Sequence, residues 1–238
     1  MLTLGIDTAT EVGAVGLVEG SSIVGELSFA ARLAQAERLI PAIERLMGLH
    51  GREPGELELI AVVSGPGSFT GLRIGLATAK GLAQALKVPL VGVPTLASYA
   101  ARVGFWPGRT LVVLHDRRNL VWWGEFHQGR MEGEERLWEV ERLLEEEDRL
   151  KGALCLGSGA ARYREELSAR GAIIAPAELN RPSGARVALL GLERYSQTRK
   201  DELFTLEPRY LQRPLAEVSL ESSQAKAKAD PERKPDER

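Results

Sequence analysis

The sequence has one cysteine, Cys155, in 238 residues, so an internal disulfide is excluded and a reducing compartment fits. Cys155 lies in an apolar run and reads as a small buried hydrophobe. Histidine is scarce too. His50, His115 and His127 are never paired at helical spacing, and no H-x-x-x-H or H-E-x-x-H pattern occurs, so a metal hydrolase has no ligands. No G-x-S-x-G elbow is present, and no nucleophile is matched to a base, which argues against a protease. Long apolar runs are missing, as are the basic and apolar regions of a signal peptide; the expectation is a cytoplasmic protein with no membrane partner. Charge of one sign is also lacking: the net charge is -2 with both signs interspersed, which does not suit tight nucleic-acid binding by this chain alone. What remains is 44% hydrophobic and 27% charged residues, the make-up of an ordinary globular protein with one large domain or two small ones.

Residues 2–8, 13–18 and 23–29 read as three strands joined by turns that contain Gly20, Ser21 and Ser22, an antiparallel meander. Residues 33–49 have helical periodicity, with Pro41 expected to kink the helix. A continuous apolar run at 59–64 reads as a buried strand. A helix to about residue 86, a strand at 90–93 and a short helix at 95–101 follow. The order then repeats: strands at 110–114, 120–126 and 130–137, a charged helix at 140–149, a strand at 153–156, and helices at 160–169 and 186–199. The fold class expected is α/β, two tandem halves, each a mixed sheet with antiparallel opening strands and flanking helices. The expected divisions are 1–105, 106–216 and a charged tail, 217–238, in which apolar residues almost vanish.

Four features carry candidate chemistry. Asp7-Thr8-Ala9-Thr10 lies at a strand-to-turn junction. Asp7, Thr8 and Thr10 there are placed either to bind Mg²⁺ through its waters and a phosphate, or to cap their own turn. Gly65-Pro66-Gly67-Ser68-Phe69-Thr70-Gly71 runs from a buried strand into a helix. It suits an anion at a helix N-terminus, or a tight packing loop, and it lacks the lysine of a P-loop. In the helix after it, Gly71, Gly75, Ala79 and Ala83 form a stripe of small side chains. That stripe packs either on the protein's own sheet or against a partner helix, with Leu72, Ile74, Leu76 and Leu82 around it and Arg73 at the helix start. Gly157-Ser158-Gly159 would admit a base or ribose close to the backbone, or is a simple strand–helix turn.

Two such halves with Asp7-Thr8-Ala9-Thr10 in the first hairpin resemble the RNase H-like actin/sugar-kinase/heat-shock ATPase (ASKHA) architecture. Ile6-Asp7-Thr8-Ala9-Thr10 and Ser64-Gly65-Pro66-Gly67-Ser68-Phe69-Thr70-Gly71-Leu72-Arg73-Ile74-Gly75 resemble the TsaB (YeaZ) family of tRNA-modification proteins. Arg38-Leu39-Ile40-Pro41, Gly92-Val93-Pro94-Thr95-Leu96 and Glu207-Pro208-Arg209-Tyr210-Leu211 support the match. The resemblance implies a non-catalytic subunit that heterodimerises with its paralogue TsaD and helps recruit the ATPase TsaE. Together they support threonylcarbamoyl transfer to the adenosine next to the anticodon of tRNA. It implies a homodimer when TsaD is absent, and tRNA reached indirectly. No cofactor is implied for the isolated chain; ATP or ADP and Mg²⁺ are candidate ligands of the complex. The nucleotide or phosphate candidates, read from the residues themselves, are Asp7, Thr8, Thr10, Gly157 and Gly159. The resemblance places Gln35, Leu39, Ile43, Gly67, Ser68, Phe69, Thr70, Gly71, Leu72, Arg73, Gly75, Leu76, Ala79 and Ala83 as partner-interface candidates.

The chain departs from the family pattern at three places. Gln35 stands where histidine is common, and His115 and Leu120 align with Asp and Glu of relatives, so those roles do not transfer. His115-Asp116-Arg117-Arg118-Asn119 replaces a second Gly-rich phosphate hairpin. The alternative of an ASKHA-fold small-molecule kinase or ATPase therefore lacks one of the two hairpins that would close on a nucleotide.

Overall fold

A computed structural model describes residues 1–30 and 35–209, with Gln35 described by its backbone alone. The expected helix start at 33, the side chain of Gln35, Tyr210, Leu211, the boundary at 216 and the charged tail lie outside the described residues.

β1 (Leu2–Asp7), β2 (Val12–Glu19) and β3 (Ser22–Ala30) form the antiparallel meander. After α1 (Gln35–Leu49), β4 (Leu59–Gly65) joins β1 in parallel; after α2 (Phe69–Leu86), β5 (Leu90–Pro94) joins β4 in parallel. The sheet order is β3-β2-β1-β4-β5. α3 (Thr95–Ala100) leads to β6 (Arg109–His115), β7 (Leu120–His127) and β8 (Arg130–Glu139). The helices α4 (Val140–Leu144) and α5 (Glu147–Leu150) precede β9 (Leu154–Leu156). α6 (Ser158–Arg162), α7 (Arg164–Ala169), β10 (Ile173–Ile174) and α8 (Gly184–Thr198) complete the elements of the described residues. The second sheet runs β8-β7-β6-β9-β10, the same path as the first. The protein has the tandem α/β architecture expected from its two strand-then-helix series.

Two expected helices are each divided. The helix expected at 140–149 breaks into α4 and α5, where four acids, Glu145 to Asp148, crowd one turn. The helix expected at 160–169 starts earlier and breaks at Tyr163. β10 has only two residues, too few to show a period in the sequence.

Alternation along β1 sorts its side chains. Leu2, Leu4 and Ile6 pack with Leu39, Ile43, Leu46 and Met47 of α1 and Leu76, Ala79 and Ala83 of α2. Gly5 faces the other way, toward α8, and Gly16 of β2 meets the same helix. A Cβ on Gly5 would overlap the carbonyl oxygen of Gly184, and one on Gly16 the backbone nitrogen of Ala185. Thus α8 follows the second sheet in sequence but packs on the first. α3 does the converse: Leu96, Tyr99 and Ala100 pack with Val112, Leu114, Trp122 and Phe126 of the second sheet. Gly16→Val should therefore cost about 3 kcal/mol, the upper range for overpacking, read as a lower urea midpoint at unchanged slope.

β5 would leave an open edge, which invites pairing with other chains. Residues 201–206 cover it. Glu202 N donates to Leu90 O at 2.8 Å, Leu90 N donates to Asp201 Oδ1 at 3.0 Å, and Gly92 N donates to Glu202 Oε2 at 2.8 Å. Arg194 of α8 holds the assembly by donating to Glu202 Oε1 at 2.7 Å and to Gly92 O at 2.8 Å.

Candidate functional site

The first hairpin turns its polar groups inward. Asp7 is fully buried; Oδ1 accepts the Ala9 N–H at 3.0 Å, and Oδ2 has no hydrogen-bond partner. Burial pushes Asp7 up to about 7, against the pull of the Ala9 N–H and with a smaller push from Glu26. Tyr99 of α3 is buried in its field. Burial first, then the Asp7 charge, raise the phenol well above its ordinary value. Thr8, also fully buried, donates to Gly71 O of α2 at 2.8 Å. Thr10 donates to Val12 O at 2.9 Å across its own turn.

Hydrated Mg²⁺ needs several oxygen ligands at the water's edge. Asp7 as placed does not fit it: one oxygen is engaged, the other is sealed in, and the group is half neutral near pH 7. Among the described residues no cluster of three or more His, Cys, Asp or Glu could hold a metal ion.

The glycine-rich loop also spends its donors internally. Ser68 N donates to Ala9 O at 2.8 Å, and Ser68 Oγ caps α2 by accepting Gly71 N at 3.2 Å. A Cβ on Gly67 would lie 2.6 Å from Ala9 O, so only glycine lets the loop sit this close to the hairpin. The loop is seated on Ala9, with Thr8 pinning the first turn of α2.

In the second half Gly157 N donates to Asn180 Oδ1 at 2.9 Å, and His115 N donates to Ser158 Oγ at 3.0 Å. A Cβ on Gly159 would lie 2.8 Å from Val113 Cγ1, so the two glycines let α6 approach β6. A cleft of about 210 Å³ separates the halves here, below the roughly 300–1,000 Å³ usual for small-molecule sites. Thr10, Glu11, His115, Asp116, Ser158, Arg162 and Arg181 are among its walls. The cleft brings Thr10 and Ser158 together, while Asp7, Thr8, Gly157 and Gly159 are not among its lining residues. Burial raises Asp116, and the charges of Arg117 and His115 partly offset this. Arg162 and Arg181 were not singled out from sequence, because two arginines in an Arg-rich chain carry no spacing signal.

The small stripe is buried within this chain. Gly71, Leu72, Gly75, Leu76, Ala79 and Ala83 are covered by the sheet, the hairpin and α1, as are Leu39 and Ile43. A Cβ on Gly75 would overlap Thr8 Oγ1. This corrects the expectation of a docking face on that stripe: a large side chain at Gly75 or Ala79 would disrupt the fold first. Ser68, Thr70 and Arg73 are exposed, Gly67 and Phe69 partly so, and the Arg73 guanidinium stacks 3.9 Å from the Phe69 ring. A second run of small residues at every fourth position, Ala77, Gly81 and Ala85, faces solvent on α2. On α1, Ile40 is 38% exposed, with Pro41 and Glu44 exposed beside it. Sequence reading missed the outer run because the inner one has the same period.

The family model described as TsaD: tRNA N6-adenosine threonylcarbamoyltransferase matches residues 29–219. The tRNA threonylcarbamoyladenosine biosynthesis protein TsaB of Escherichia coli (strain K12) is 27% identical over 226 residues, 91% of this chain and 96% of that protein. Its counterpart in Bacillus subtilis (strain 168) is 28% identical over 234 residues, 94% of this chain and 100% of that protein. The solved structure of YeaZ from Pseudomonas aeruginosa has a TM-score of 0.72 at 26% identity, covering 88% of this chain and 99% of that one. The chain belongs to the TsaD tRNA N6-adenosine threonylcarbamoyltransferase family, and within it to the TsaB (YeaZ) group.

Proposed function

We propose that the chain is a non-catalytic subunit of tRNA threonylcarbamoyladenosine biosynthesis. It heterodimerises with TsaD and, with TsaE, supports threonylcarbamoyl transfer to the adenosine next to the anticodon. The observation that carries this reading is the near full-length match to two TsaB proteins. The inward hairpin supports it. Asp7, Thr8 and Thr10 serve the packing of β1 on α2 and α3, and the inter-half cleft is small. A kinase would need those groups free for phosphate.

The docking face in this reading is the outer surface of α1 and α2, where Ala77, Gly81 and Ala85 would let a partner helix approach closely. The same face would serve the homodimer in the absence of TsaD.

Reconstitution tests the reading. The chain is combined with its organism's TsaD, TsaE, threonylcarbamoyl-adenylate synthase, ATP, threonine, bicarbonate and tRNA, and modified nucleoside is measured. Modification should require the chain and should not arise from the chain alone. Modification indifferent to the chain would remove this assignment. ATP turnover by the isolated chain would return the kinase alternative.

A further inference from the structure

Glu135 lies in β8, on the edge of the second sheet, yet its side chain is only 3% exposed. Neither carboxylate oxygen accepts a hydrogen bond. Burial raises its pKa, and the Arg209 charge draws it back. The Arg209 guanidinium is its ion-pair partner, with Nη2 3.2 Å from Oε2. A buried carboxylate with one such partner depends strongly on it.

Arg209 is held from the other side by the first half. Its N–H donates to Ser64 O at 2.7 Å, and a Cβ on Gly65 would lie 2.8 Å from its carbonyl oxygen. Ser64 and Gly65 end β4 and lead into the glycine-rich segment 65–71, in which Ser68 is the N-cap of α2. One residue thus connects a buried charge in the second sheet, through its guanidinium, to the loop that starts α2, through its backbone.

We propose that Glu135 is a positioning residue: through Arg209 it holds the glycine-rich loop, residues 65–71, in the conformation that begins α2. The second half thereby sets the state of the α1–α2 face. This last step rests on the reading of that face as the TsaD docking surface; the hold on the loop does not.

Hydrogen exchange on the full chain tests it, comparing residues 64–72 with residues 2–19 of the central strands. Glu135→Gln and Arg209→Gln should each raise exchange over 64–72 about tenfold, with 2–19 unchanged. The double variant should add nothing further, because both act through one contact. Having no unpaired buried charge, it also supplies the measurement if a single variant fails to fold. Unchanged exchange over 64–72 overturns the proposal, and so does an equal rise over 2–19, which would mean general destabilisation. TsaD affinity should weaken in the same variants. Faster loop exchange at unchanged affinity would leave the loop hold standing and overturn its coupling to docking.

Discussion

Replacing Asp7 with Asn should stabilise the protein by about 4 kcal/mol at pH 8 and by almost nothing at pH 3.5. The sign follows from the carboxyl's two environments. Unfolded, Asp7 ionises near its ordinary 3.8; folded, burial holds it at about 7. Between those values the native state binds more protons than the unfolded state, so its stability falls as pH rises. The loss begins above about pH 4 and levels off once the folded carboxyl has ionised, above about pH 7. Asn keeps the acceptor for the Ala9 N–H and cannot ionise, so the variant lacks this slope. The quantity to measure is the difference in urea-derived stability between variant and wild type across pH. A difference independent of pH would mean that the Asp7 carboxyl ionises at the same pH folded and unfolded, and that burial does not raise it.

Gly81→Trp should leave folding intact and weaken TsaD binding about 100-fold, which is about 2.7 kcal/mol. Gly81 is exposed on the outer side of α2, and a Cβ built there meets nothing within 4 Å. Leaving glycine also favours the helix by a few tenths of a kcal/mol to about 1 kcal/mol. An indole at this point would hold a facing helix away from Ala77 and Ala85. Titration calorimetry against TsaD, with a melting curve beside it, reads both halves of the expectation. Undiminished affinity would remove α2's outer face as the interface. Sedimentation of the isolated variant should show weaker self-association for the same reason.

Most elements were legible because their signals are local. The meander, the buried run at β4 and the helix after the glycine-rich loop each follow from period and turn residues. Burial of Cys155, whose thiol is pushed up to about 12, likewise follows from its apolar run. The direction of the small stripe was not legible. A helix with small residues at Gly71, Gly75, Ala79 and Ala83 and again at Ala77, Gly81 and Ala85 has two equivalent candidate faces. Only Thr8 and the first sheet decide which one turns inward. Gly16 read as a turn residue at a strand joint, when it lies within β2 and, with Gly5, seats α8, about 170–180 residues away in sequence. The role of Asp7 depended on a tyrosine 92 positions later, Tyr99, closing over the hairpin, and no spacing rule carries that.

The return of α8 to the first sheet also sets a timetable for synthesis. The five strands of that sheet are complete once Pro94 has been added, yet the face at Gly5 and Gly16 is covered only by Gly184–Thr198. At about 5–20 residues per second, the roughly 90 intervening residues take about 5–20 s to make. Through that interval the nascent sheet waits with one face bare. The packing of the first half is thus finished only when residues 184–198 have been made, so its two faces are not closed at the same stage of synthesis.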